Sequence, residues 1–175
     1  MPHVEATASV PLDARTAFDI ANGLGAMRVA WDPTLDRRFL VRGATELAPG
    51  AVVFAREPGG RRFLLEVETW FPGVASSARM IKGPVYLREY GEGWRFHADE
   101  GGTTRATFKL SFKAASPVAA ETIGAALRPP FEELAEARVE AFARACRDER
   151  LVDAVRRGER SPESLHSEVS EHEAR

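Results

Sequence analysis

The sequence predicts an α+β domain: a curved antiparallel sheet of six or seven strands wrapped around a long C-terminal helix, with two short helices after the first strand. Three observations carry this. From Leu35 to Ala114, apolar and polar residues alternate in runs separated by the turn formers Pro49-Gly50, Pro58-Gly59-Gly60, Pro72-Gly73, Gly83-Pro84 and Gly101-Gly102. From Ser116 to Cys146, the residues Ile123, Leu127, Phe131, Leu134, Phe142 and Cys146 recur at helical spacing. Between Pro11 and Pro33 two short apolar segments are separated by Asn22-Gly23, a helix stop.

The elements follow in order. Val4, Ala6, Ala8 and Val10 alternate with Glu5, Thr7 and Ser9, which predicts a first strand ended by Pro11. Asp13 suits an N-cap for a helix over Ala14 to Ala21, and Gly25 to Trp31 forms a second, which must finish before Pro33. Strands are expected over Leu35 to Arg42, Ala51 to Arg56, Arg62 to Phe71, Ala75 to Ile81, Tyr86 to Ala98 and Thr103 to Ala114. A bulge at Gly91 or Gly93 is expected to reset the register before Trp94. Ser116-Pro117 should cap the long helix, and Pro129-Pro130 should kink it or split off its first turns. Fully helical, this piece spans about 45 Å, enough to cross the whole sheet. Leu151, Val152 and Val155 extend it as far as Gly158. The domain is thus expected over residues 1–157, with 158–175 a polar, disordered tail.

Composition narrows the function. A chain of 175 residues, 44% hydrophobic, can bury a sizeable core. Its 24 basic and 26 acidic residues are spread along the chain, so no basic field draws nucleic acid. No apolar run approaches a membrane span. The single Cys146 permits no internal disulfide and suits buried packing in a cytoplasmic protein. Only Lys82, Lys109 and Lys113 are lysine, a skew that suggests a bacterial genome.

Alternation places Phe63, Leu65, Val67, Phe71, Trp94, Phe96, Phe108, Leu110 and Phe112 on one face and leaves the other wet. One helix about 10 Å wide does not cover a strongly curved sheet everywhere, so imperfect closure by loops leaves a pocket. Trp31-Asp32-Pro33, GPVYLREYGEGWRF at Gly83 to Phe96, TFKLSFKA and FEELAEARVEAFARAC together resemble the START/Bet v 1-like superfamily, also called SRPBCC, over Val4 to Cys146. Within it they look most like the polyketide cyclase/dehydrase and coenzyme Q-binding branch. The resemblance implies a helix-grip fold with an apolar cavity between sheet and long helix, taking lipids, quinones or polyketides; some members are cyclases or aromatases, and many only bind.

Candidate ligand-binding residues are Trp31, Arg79, Tyr86, Tyr90, Trp94, Phe108, Phe131, Leu134 and Arg138. Trp31 is either a wall at the cavity mouth or a core aromatic that pins the short helices. Trp94 and Phe108 face inward, as lining or as core. Arg79 either meets a ligand oxygen or points into water, the latter favoured by its strand. The Tyr86 and Tyr90 hydroxyls are of a kind that orients a carbonyl. Phe131 and Leu134 face the sheet, and Arg138, one turn on, is an inward anion anchor or a stem with its head in water.

Catalytic signals are sparse. Glu66, Glu68 and His97 fall on the wet face. His166 and His172, with Glu168 and Glu171, lie in a tail without fixed geometry, and no phosphate loop, nucleophile elbow or zinc motif occurs. No catalytic residue, metal or cofactor is called for. The reading that follows is binding of a hydrophobic small molecule; the alternatives are polyketide cyclisation in the same cavity and a helper that binds a macromolecular partner.

Overall fold

Alternating runs joined by tight turns leave each strand paired with its chain neighbour, and the meander grows in one direction from β2 to β7. The computed structural model describes residues 1–115 and 120–159. The strands are β1 (His3–Val10), β2 (Arg37–Val41), β3 (Val52–Arg56), β4 (Arg62–Phe71), β5 (Ala75–Lys82), β6 (Leu87–Ala98) and β7 (Thr104–Ala114). The helices are α1 (Ala14–Ala21), α2 (Gly25–Trp31), α3 (Ala120–Ala145) and α4 (Glu149–Arg156). All strands lie in one seven-stranded antiparallel sheet of order β1-β7-β6-β5-β4-β3-β2. This is the expected helix-grip arrangement, with β1 closing the sheet against β7 and α1 and α2 carrying the chain to the opposite edge. Asp13 caps α1 as its position predicts: the Thr16 backbone N–H donates to Oδ1 at 2.9 Å and the Thr16 hydroxyl to Oδ2 at 2.7 Å.

The inner face holds most of the expected side chains, and one aromatic cluster joins sheet to helix. Trp94 packs against Phe108 and Phe142, with centroids 5.0 and 4.8 Å apart, and Phe112 meets Phe131 at 4.7 Å. Cys146 is buried in this core, and burial pushes its thiol up to about 12, which leaves it no thiolate character at neutral pH.

The structure corrects several expectations. Phe71 is 64% exposed, because β4 slips register against β5 between Val67 and Thr69 and turns Trp70 inward instead, 4.9 Å from Phe18. The outer face is not wet throughout: Phe39, Val41, Val52, Phe54 and Leu64 form a second buried cluster there, with Phe39 stacked on Phe54. Their strands read as near-continuous apolar runs, the pattern of two-sided burial. The irregularity of β6 lies between Leu87 and Glu89, not at Gly91 or Gly93. Gly93 serves close approach, since a Cβ there would stand 2.6 Å from the Ser76 carbonyl oxygen.

Helix α3 runs unbroken through Pro129 and Pro130 rather than splitting. Ala125 and Ala126, whose carbonyls lose their donors to the prolines, are exposed and can bond water. Nor does α3 cross the whole sheet. It lies along β1 and β7, and Phe131 and Phe142 reach out to β6. The chain breaks at Arg147-Asp148 instead of extending to Gly158, and Asp148 caps the separate α4 through the N–H groups of Arg150 and Leu151. The expected cap at Ser116-Pro117 and nearly all of the expected tail lie outside the described residues.

A filled core makes a quantitative prediction. Phe108→Ala removes a fully buried ring from the inner face of β7, so it should lower the free energy of unfolding in urea by about 3–5 kcal/mol. A loss below about 1 kcal/mol would mean that Phe108 faces open space.

Candidate functional site

The residues that end the short helices and those that face inward on β2, β6 and α3 converge on one point under the sheet. There the protein buries charge. Asp32, the C-cap of α2, is fully buried, with its Oδ2 2.7 Å from Arg28 Nη2 and 3.2 Å from Arg138 Nε. Arg138, on α3, also donates from Nη1 to Glu92 Oε2 at 2.8 Å and from Nε to the Thr34 hydroxyl at 2.9 Å. Thr34 in turn donates its hydroxyl to Asp32 Oδ1 at 2.5 Å and its backbone N–H to the same oxygen at 3.0 Å. Arg38, on β2, reaches Glu92 Oε1 at 2.8 Å, and the Tyr90 hydroxyl donates to Glu92 Oε2 at 3.2 Å. Arg28 also donates to the Ala21 carbonyl, and its guanidinium lies 4.1 Å over the Trp31 ring. The Arg138 guanidinium stands 4.9 Å over the ring of Phe108.

Burial alone would raise both carboxylates, but the arginines outweigh it. Arg138 and Arg38, with their hydrogen bonds, hold Glu92 down to about 2, and Arg138, Arg28 and the Thr34 bonds lower Asp32. Burial also pulls Arg28 down to about 9, with the neighbouring Arg138 and Arg38 charges adding to the effect and Asp32 opposing it. Burial, then the Glu92 charge, raises the Tyr90 hydroxyl, which therefore stays protonated. At neutral pH every carboxylate of the cluster is ionised and engaged, so none is free to act as a general base.

The space beside this cluster is a cleft of about 430 Å³ between α1, α2, the β2–β3 connection, the end of β4 and α4. Phe18, Leu24, Met27, Trp31, Leu47 and Trp70 supply its apolar walls. Behind it lies a void of about 20 Å³ bounded by Arg28, Arg38 and Glu92, and Asn22, Leu47 and Trp70 line both spaces.

The nine candidate residues scatter across these surroundings. Trp31, half-buried, lines the cleft. Trp94 borders the small void and otherwise packs in the core. Phe108, Phe131 and Leu134 are core side chains, and Tyr90 packs 4.8 Å from Phe63 while bonding Glu92. Arg138 is inward, at the centre of the charge cluster. Tyr86 is half-buried near the β5–β6 turn and hydrogen-bonds Arg61. Arg79 is on the outer face, paired with Glu66 at 2.7 Å and Glu68 at 3.0 Å, and lines neither the cleft nor the void. Sequence reasoning missed Arg28, Asp32, Thr34, Arg38 and Glu92 as site residues. Glu92 was readable: Tyr90, Glu92, Trp94 and Phe96 keep one phase, which puts a carboxylate among inward aromatics. Among the described residues no group of His, Cys, Asp and Glu is arranged to hold a metal ion, and no helix is long and apolar enough to cross a membrane.

Two consequences are measurable. Glu92→Gln leaves buried arginines short of a counter-charge and should cost about 3–5 kcal/mol in urea unfolding. Because Glu92 and Asp32 sit below their ordinary values when folded, their contribution is complete above about pH 4.5 and is lost as pH falls toward about 2. The acid limb of stability against pH should therefore be shallower in Glu92→Gln than in the wild type; equal slopes would refute the pairing.

Solved structures share this fold at low sequence identity. The aromatase/cyclase Zhui from Streptomyces sp. R1128 is 16% identical, with a TM-score of 0.66 over 91% of this chain and 99% of that one. A protein of Thermus thermophilus gives 16% and 0.66 over 88% and 99%. A START superfamily protein from Mycobacterium smegmatis gives 14% and 0.63 over 81% and 97%. No curated protein matches the chain. A family model described as polyketide cyclase/dehydrase and lipid transport matches residues 1–147, so the chain belongs to that family.

Proposed function

We propose that the protein binds a hydrophobic small molecule in the cleft between α1, α2 and α4. The observation that carries this reading is the contrast between two interiors. The space under α3 is occupied by packed aromatics and an ion-pair cluster, whereas the neighbouring cleft is open, of ligand size, and walled by Phe18, Leu24, Met27 and Trp70 together with polar side chains such as Arg15, Asp19 and Glu46. Binding is favoured over cyclisation because the inward acid groups behind the cleft, Asp32, Glu92 and Tyr90, are engaged with one another or with arginine, and of the carboxylates on its walls Asp19 pairs with Arg15, Glu159 pairs with Arg157 and Glu46 is exposed to solvent. Family membership fits either activity.

Equilibrium dialysis against methyl octanoate, a neutral apolar probe, tests the reading. Saturable uptake of one molecule per chain is expected. Met27→Trp, which fills the cleft from α2, should abolish uptake while leaving the unfolding transition in place. Uptake by the wild type that Met27→Trp does not reduce would place the ligand elsewhere and overturn the reading.

A further inference from the structure

The charge cluster behind the cleft does not balance. Three guanidiniums, Arg28, Arg38 and Arg138, face two carboxylates, Asp32 and Glu92, which leaves one positive charge in excess. The neighbouring Glu57 does not make up the difference, because Arg61 pairs with it at 2.5 Å. An unmatched charge is costly in an interior and cheap once a counter-ion arrives. Hydrogen bonding in the cluster is incomplete too: the Nε groups of Arg28, 1% exposed, and Arg38, 9% exposed, are buried without a hydrogen-bond partner, as is Asp32 Oδ2 despite its ion pairs with Arg28 and Arg138.

Both arginines border the void of about 20 Å³, which has room for one water or one carboxylate oxygen. The void shares Asn22, Leu47 and Trp70 with the cleft, so the two spaces meet at these three side chains, with the arginines on the far side. Asn22 is held in place from both sides, donating from Nδ2 to the Phe18 carbonyl at 2.9 Å and accepting from the Ser76 hydroxyl at 2.7 Å. A cleft with several apolar walls that meets a void carrying two arginines against one carboxylate, Glu92, suits a ligand with one apolar end and one anionic end.

We propose that the ligand is an amphipathic carboxylate, its apolar body in the cleft and one carboxylate oxygen entering the void against Arg38 and Arg28, where it supplies the missing negative charge. This rests on the cleft being the binding site. Arg38 is the informative position. Removing it neutralises the cluster without stranding a carboxylate, because Glu92 keeps Arg138 and Tyr90.

The test measures octanoate and methyl octanoate, of equal chain length, by equilibrium dialysis at pH 7 against the wild type, Arg38→Met and Arg38→Lys, with Arg38→Gln as the alternative neutral variant if Arg38→Met does not fold. The wild type should bind octanoate about tenfold or more tightly than its ester, the gain expected of charge-assisted hydrogen bonds. Arg38→Met should bring octanoate down to the affinity of the ester, and Arg38→Lys should keep most of the preference. Equal affinity of acid and ester in the wild type would overturn the carboxylate assignment while leaving the cleft as the site. A preference that survives in Arg38→Met would overturn the role of Arg38. Failure of both probes to bind would remove the cleft reading and this inference with it.

Discussion

Arg138 is the contact on which the interior is organised. Its guanidinium joins the C-cap of α2 through Asp32, the turn after it through Thr34, the middle of β6 through Glu92 and the face of Phe108 on β7. A planar fork with five donors can serve such divergent acceptors at once, which a lysine cannot. Four elements far apart in the sequence thereby share one set of positions, and a shift of α3 along its axis would break several charge-assisted bonds together.

That arrangement bears on where a ligand can go. A fold of this kind has room for a cavity between its sheet and its long helix, and here much of that volume is occupied by the cluster and by the rings of Trp94, Phe108, Phe131 and Phe142. The open space is displaced to the end where α1, α2 and α4 meet the edge of the sheet. Helix α4 belongs to this displacement, because it begins where α3 breaks at Asp148 and supplies Leu151 and Val155 to the cleft.

The architecture was legible because it rests on local signals. Alternation and turn residues locate β4 to the residue and the other strands to within two, and Asp13 and Asn22-Gly23 bound α1. The site was less legible, for a physical reason. Periodicity reports which residues are apolar on a face, whereas a buried ion cluster is made of charged residue types, and apart from Glu92 on β6 no clear phase points them inward. Arg28, Asp32 and Arg38 sit in short segments of ambiguous phase, and only their mutual pairing makes burial tolerable. Such pairing across the fold leaves no mark in any one segment. Phe71 and Trp70 show the converse limit, where a single slip in pairing exchanges the two faces.

The pairing of the first strand with the last carries a consequence for how the chain is made. His3 lies opposite Ser111 and Val10 opposite Thr104, while every other strand pairs with its immediate predecessor or successor. During synthesis the meander from β2 to β6 can zip as it leaves the ribosome, but β1 waits for β7, about a hundred residues later. Until then its free edge is available to stray strands. The small side chains of β1, Ala6 and Ala8 among them, make it a poor template for a foreign partner during that wait. The earliest strand to be born is the last to be sheltered.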